Sequence, residues 1–193
     1  MNVDEPYHAY CVLQLNKCLV RSPAAGGEST QPVAQIFWEN KYRHSDYVFD
    51  WTSIWKCVYM VTKEPRVQTQ QWKLMHNIWP TNILLYRMGR VTSVSCKYCP
   101  GKKDYIEHFF CSCYCVLPLW RMVEHMCSGI ENKIVKLKEQ DILFGYHVNT
   151  LSRYRVQNQL ILVGKLCISK YKFGNHPNIC YLFDSECKMR KLE

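Results

Sequence analysis

A mostly helical domain carrying an irregular, cysteine-rich insert is the fold class this sequence predicts. Three observations predict it. Apolar residues recur at three- and four-residue intervals along much of the chain after Asp50, the spacing of one helix face. Proline and glycine stand at the ends of those runs, at Pro65, Pro80, Gly89, Pro118, Gly129, Gly174 and Pro177, where they open or close helices. Between two such runs, Ser95 to Cys115 reads SCKYCPGKKDYIEHFFCSCYC, with five of the chain's twelve cysteines and a histidine.

The elements follow in order. Residues 1–36 are an unassigned N-terminal segment and linker. Up to Leu19 they show no clear periodicity, and SPAAGGESTQP, Ser22 to Pro32, is small, polar and rich in breakers. The helical domain takes residues 37–193. Asp50 is placed to cap a helix whose apolar face carries Trp51, Ile54, Trp55 and Val58. Pro65 opens a second helix, with Val67, Trp72, Met75 and Trp79 roughly on one side. Thr81 or Asn82 caps a short third helix that closes at Gly89. Pro118 opens another, ending near Gly129. KIVKLKEQDILFG reads as a short strand and a turn. A long helix runs from about Leu151 to Phe173 and buries Leu160, Ile161, Gly164, Cys167, Ile168 and Tyr171. Pro177 opens the last helix, with basic residues at its C-terminal end, as the helix dipole favours.

Composition bounds the function. The chain has 193 residues, 48% of them hydrophobic, enough for one domain with a core that needs no disulfide staples. A formal net charge of +9 points to an anionic partner, most often nucleic acid. The longest apolar tract, Leu160 to Val163, stops at Gly164 and Lys165. It is too short to span a bilayer, so no membrane partner is expected. The first residues hold Asp4 and Glu5, no cation before Lys17 and no apolar run of signal-peptide length. The expected location is therefore intracellular, nuclear or cytoplasmic. In that reducing setting clustered cysteines read as metal ligands before disulfides.

Zinc takes four ligands tetrahedrally and prefers thiolate and imidazole. Cys96 and Cys99 are separated by two residues, and Pro100-Gly101 supplies a turn. His108 and Cys113 form a second pair, giving Cys-x2-Cys-x8-His-x4-Cys within a knuckle of about residues 93–116. Cys111 and Cys115 lie two residues either side of Cys113, and spacing alone leaves all three open as the fourth ligand. A set with three thiolates nearly closes the ion's inner shell, which marks a structural Zn²⁺ site. His176 with Cys180 is a weaker pair without partners close by. His76 reads as a satisfied or exposed helix histidine. Asp104 and Glu107 read as carboxylates behind the ligands or in solvent. The sequence shows no glycine-rich phosphate loop, no Gly-x-Ser-x-Gly elbow and no paired carboxylates near a catalytic histidine. Neither catalysis nor a small-molecule substrate is expected.

Charge is unevenly spread. From Pro65 to Lys103 there is no Asp or Glu, while Arg66, Lys73, Arg87, Arg90, Lys97, Lys102 and Lys103 alternate with Trp72, Trp79, Tyr86 and Tyr98. Cations for phosphates and rings for unpaired bases suit single-stranded nucleic acid. Trp72 and Trp79 read as core. Lys97, Tyr98, Lys102 and Lys103 read as surface.

These segments carry a resemblance. WKLMHNIWPTNILLYRMG, then CKYC, DYIEHFFCSC and LPLW, resemble the zinc-binding domain downstream of the reverse transcriptase in non-LTR, LINE-type retrotransposon polyproteins. The matching positions are Trp72, Lys73, Leu74, His76, Thr81, Asn82, Leu85, Cys96, Cys99, Glu107, His108, Cys113 and Trp120. The resemblance spans roughly Val48 to Glu193. It implies Cys113 as the fourth ligand, and a domain that grips RNA or DNA while other domains do chemistry. No Tyr-x-Asp-Asp polymerase motif is present. The expectation is a non-catalytic knuckle binding RNA or single-stranded DNA, with Lys97, Tyr98, Lys102 and Lys103 in contact and Lys73, Arg87 and Arg90 behind them. The alternative is a zinc-stapled protein-interaction module, of unknown partner, or a non-functional retrotransposon remnant.

Overall fold

The computed structural model describes residues 32–174 and 176–192. The linker predicted over Ser22 to Pro32 lies almost wholly outside them. The compact unit starts at Val33, and it is mainly helical. Helix α1 is Val33–Lys41, α2 Trp51–Val61, α3 Pro65–Met75 and α4 Asn82–Arg87. The cysteine-rich loop follows, then α5 Leu117–Glu131, α6 Glu139–Phe144, α7 Arg155–Phe173 and α8 Ile179–Arg190. Among the described residues there is no strand. A single antiparallel bridge pairs Ser95 with Lys103.

The helix ends follow their caps. The Asp50 carboxylate accepts from the Ser53 amide at 3.1 Å and its hydroxyl at 2.7 Å. The Thr81 hydroxyl accepts from the Leu84 amide. Asn178, one residue after Pro177, caps α8 through the Cys180 and Tyr181 amides. Helix α5 runs through Gly129 and ends at Asn132, which takes the left-handed conformation at φ 51°, one asparagine adopts at low cost.

Two elements differ from the sequence reading. Residues 133–138 are extended but pair with no strand. Their backbone donors go to α5 instead: Val135 N–H to the Ser128 hydroxyl at 2.9 Å, and Leu137 N–H to the Glu124 carboxylate at 3.0 Å. The following EQDILF is a helix, not a turn, because the Asp141 carboxylate accepts from the Lys138 amide at 2.8 Å and nucleates it. The long helix starts at Arg155, not Leu151. The chain before it turns through Val148–Thr150, and Asn158 ties that turn down by donating to the Tyr146 and Tyr154 carbonyls and accepting from the Tyr146 amide.

Helix α7 is the axis of the fold and packs against α2, α3, α5 and α8. Where it crosses α5 it carries Gly164. A Cβ there would lie 3.1 Å from both Leu119 Cδ2 and Trp120 Cζ3, so glycine allows the close approach. Helix α6 seats Phe144 in an aromatic cluster, with the Trp38 ring edge-on at 5.2 Å and Phe49 at 5.3 Å. Trp38 also donates its indole N–H to the Met75 carbonyl at 2.8 Å, which fastens α1 to α3.

Candidate metal centre

The cysteine-rich loop leaves α4 and returns on itself. The Cys96 amide donates to the Lys102 carbonyl at 2.8 Å and the Asp104 amide to the Val94 carbonyl at 2.9 Å. Between these arms sits the Cys96–Cys99 turn, with Gly101 at φ +78°, a conformation glycine takes freely. The second pair comes from His108–Ser112, one turn of π-helix whose Cys113 amide reaches back to the His108 carbonyl at 2.9 Å. In an α-helix, residues five apart are rotated by about 140°. The wider i→i+5 turn brings His108 and Cys113 to one side.

The result is a cage. The Cys96, Cys99 and Cys113 sulfurs and a ring nitrogen of His108 all lie within 4.8 Å of one another. Cys113 Sγ is 3.6 Å from Cys96 Sγ and 3.7 Å from Cys99 Sγ. A tetrahedral ion with metal–sulfur bonds of about 2.3 Å needs sulfurs about 3.8 Å apart. These four side chains could hold a metal ion, and three further observations fit one. His108 Nε2 is buried without a hydrogen-bond partner, while Nδ1 lies 3.4 Å from the Ser112 hydroxyl. That leaves one nitrogen held and the other free to ligate. The Tyr98 amide donates to Cys96 Sγ at 3.4 Å and the Tyr114 amide to Cys99 Sγ at 3.3 Å, bonds that favour thiolates. Desolvation, then the nearby Lys172 charge, lowers the His108 pKa, keeping the imidazole neutral.

Two of the cage thiols are held towards their protonated form. Burial pushes Cys96 up to about 11. The Cys115 contact, then burial, raises Cys113. Cys115 goes the other way, lowered by the hydrogen bond from Cys113. Metal entry must displace these protons. Cys111 is buried, and burial holds its thiol well up. It is not part of the cage.

The loop's supports are mostly invisible in the sequence. Asp104 is buried; its carboxylate accepts from the Asn82 amide at 3.1 Å and its carbonyl from the Ile83 amide. It therefore holds the start of α4 to the knuckle, aided by Asn82 Nδ2 donating to the Ser95 carbonyl at 2.7 Å. Glu107 is buried and pairs with Lys41 of α1, so it does not orient His108. Lys41 also lies 5.2 Å from the Tyr105 ring centre. Trp120 donates its indole N–H to the Phe110 carbonyl at 2.6 Å, joining the π-turn to α5. Nothing in the local sequence signals Lys41, Ser112 or Lys172, since each reaches the site through the fold or the local turn.

The expected nucleic-acid contacts divide. Lys97, Lys102 and Lys103 are exposed on the knuckle. Tyr98 is half-buried, stacked on Tyr171 at 5.7 Å. Arg87 is exposed at the far end of α4, which the same loop anchors, and Arg90 is exposed three residues beyond it. Lys73 is half-buried on α3, and none of these bonds joins it to the knuckle. Trp79 is core, packed on Phe110 at 5.3 Å, whereas Trp72 is half-buried with its ring tilted against His76 at 4.4 Å. The most exposed aromatic at the knuckle is Tyr114, 77% accessible against 42% for Tyr105, directly after Cys113. Among the described residues no other cluster of metal-ligating side chains occurs, and His176 and Cys180 form none.

In comparisons with known proteins, no family model and no curated protein matches this chain.

Proposed function

We propose that this domain holds one structural Zn²⁺ on Cys96, Cys99, His108 and Cys113 and binds RNA or single-stranded DNA without catalysing a reaction. The observation that carries the reading is the coincidence of two features on one loop. The ligand cage fixes the loop's backbone, and Lys97, Lys102 and Lys103 stand exposed on that fixed backbone. Arg87, at the end of α4, and Arg90, three residues beyond it, add exposed cations on the segment that leads into the loop. Tyr114 supplies a ring on which a base can stack. Four ligands from the chain leave the ion no open position for a substrate, in keeping with a structural role. The likeness to the knuckle of LINE-type retrotransposon polyproteins points the same way.

The test is binding of single-stranded RNA and DNA oligonucleotides across a salt series, for the wild type and a Lys97→Gln/Lys102→Gln/Lys103→Gln variant. The affinity of the wild type should fall steeply with salt, and the variant's slope should be shallower by about 2 to 3. Absence of any salt-dependent binding by the zinc-loaded wild type would refute nucleic-acid binding and favour a protein partner.

A further inference from the structure

Two features beside the cage are surplus to a site made of three cysteines and one histidine. The first is a fifth sulfur. Cys115 Sγ lies 3.4 Å from Cys113 Sγ, closer than either of the other two cage sulfurs. Its side chain is only half-buried and feels the charges of Cys96 and Cys99. The second is a buried cation. Lys172, on α7, has its Nζ shielded from solvent with no hydrogen-bond partner. It sits 4.1 Å from the Phe109 ring centre and acts electrostatically on His108, Cys113 and Cys115. A buried ammonium facing neutral thiols would be costly. Facing an anionic metal–thiolate group it is compensated.

Resting on the metal-binding reading above, we propose that Cys115 is an alternative fourth ligand, so that the knuckle takes soft, thiophilic ions such as Cd²⁺ on four sulfurs, Cys96, Cys99, Cys113 and Cys115, with His108 released. The Cys115 thiol gives its proton to solvent as its bond to the metal forms, and the imidazole leaves as a neutral base. No electron is transferred. A divalent ion with three thiolates and imidazole carries net −1, and with four thiolates net −2. Lys172 offsets that charge in both states and more strongly in the second. Soft ions favour the exchange because thiolate outcompetes imidazole for them, while zinc accepts either donor. Cys115 Sγ lies outside the four-residue cage but against one of its sulfurs, so the swap requires its side chain to turn inward as His108 leaves. The one hydroxyl that holds the His108 ring, Ser112 at 3.4 Å, is itself exposed, so the imidazole is oriented by a long bond that can break when it leaves.

The experiment loads the full chain with ¹¹³Cd²⁺ or Zn²⁺ and compares wild type, Cys115→Ser, His108→Ala and the double variant. Cadmium NMR reports the donor set, and cadmium–thiolate absorbance per bound ion counts sulfurs. The wild type should give the four-sulfur signature, and Cys115→Ser should lose about a quarter of the absorbance and move to the three-sulfur, one-nitrogen signature. His108→Ala should keep one tightly bound Cd²⁺, and the double variant should bind it at least about tenfold more weakly. Identical cadmium spectra for wild type and Cys115→Ser, with zinc still bound one per chain, would overturn the proposal and leave the zinc reading intact. No bound metal of either kind in the wild type would overturn both. Should His108→Ala fail to fold, the wild type and Cys115→Ser spectra still decide.

Discussion

Lys165 offers a quantitative test of the packing. It is wholly buried on α7, donating to Gln71 Oε1 at 2.5 Å and to the Leu143 carbonyl at 3.4 Å. The adjoining cavity, lined by Ile54, Cys57, Phe144 and Asn158 among others, measures about 10 Å³, room for one water at most. Burial therefore lowers its pKa from 10.5 to about 8, a penalty of about 3 kcal/mol on the charged form. The sign follows from proton binding. Below pH 8 both folded and unfolded chains hold the proton and the folded state bears the full cost. Between about 8 and 10.5 the folded chain releases it while the unfolded chain keeps it, so this group raises stability with pH. Buried thiols and tyrosines such as Cys57 and Tyr47 are shifted upward and oppose that trend, so the comparison is with Lys165→Met at matched metal content. The variant loses the charge but leaves Gln71 Oε1 without its donor, worth about 1–3 kcal/mol, so at pH 7 the two proteins should differ little. Urea unfolding followed by tryptophan fluorescence should show the wild type gaining about 3 kcal/mol on the variant between pH 7 and 10.5. Parallel stability curves over that range would refute a buried, depressed lysine.

Three further outcomes are expected. Trp120→Phe removes the indole donor from the buried Phe110 carbonyl and should cost about 1–3 kcal/mol in urea unfolding. Gly164→Ala places a methyl against Trp120, whose ring is held by that same bond and cannot yield. It should destabilise by about 1 kcal/mol despite alanine's better helix propensity. Lowering the pH from 7.5 towards about 5 should strip the metal, because protons compete for thiolates whose pKa values are already raised in Cys96 and Cys113; a chromogenic chelator follows the release.

The helices were legible because their signals are local. Asp50, Thr81 and the Pro65 and Pro118 helix starts act within one turn, and the structure uses all of them. The extended 133–138 segment was misleading for the opposite reason. Val135 and Leu137 alternating with Lys136 and Lys138 imitate a strand, but the donors are taken by Ser128 and Glu124 of a helix that only tertiary structure brings alongside. The four cage residues could be found from spacing and resemblance, since metal ligands must recur at short intervals. The π-turn that aligns two of them could not, nor could Lys41 and Lys172, which arrive from helices 66 residues before Glu107 and 59 residues after Cys113. The polar loop around Tyr98 predicts a surface ring; its stacking on Tyr171 depends on where α7 ends.

The central claim is that the crowded sulfur holds an ion. Elemental mass spectrometry of protein purified under reducing conditions tests it most directly, with Cys113→Ser beside the wild type. One zinc per chain in the wild type, lost or loosened in the variant, is the predicted result. No zinc in either would contradict the account.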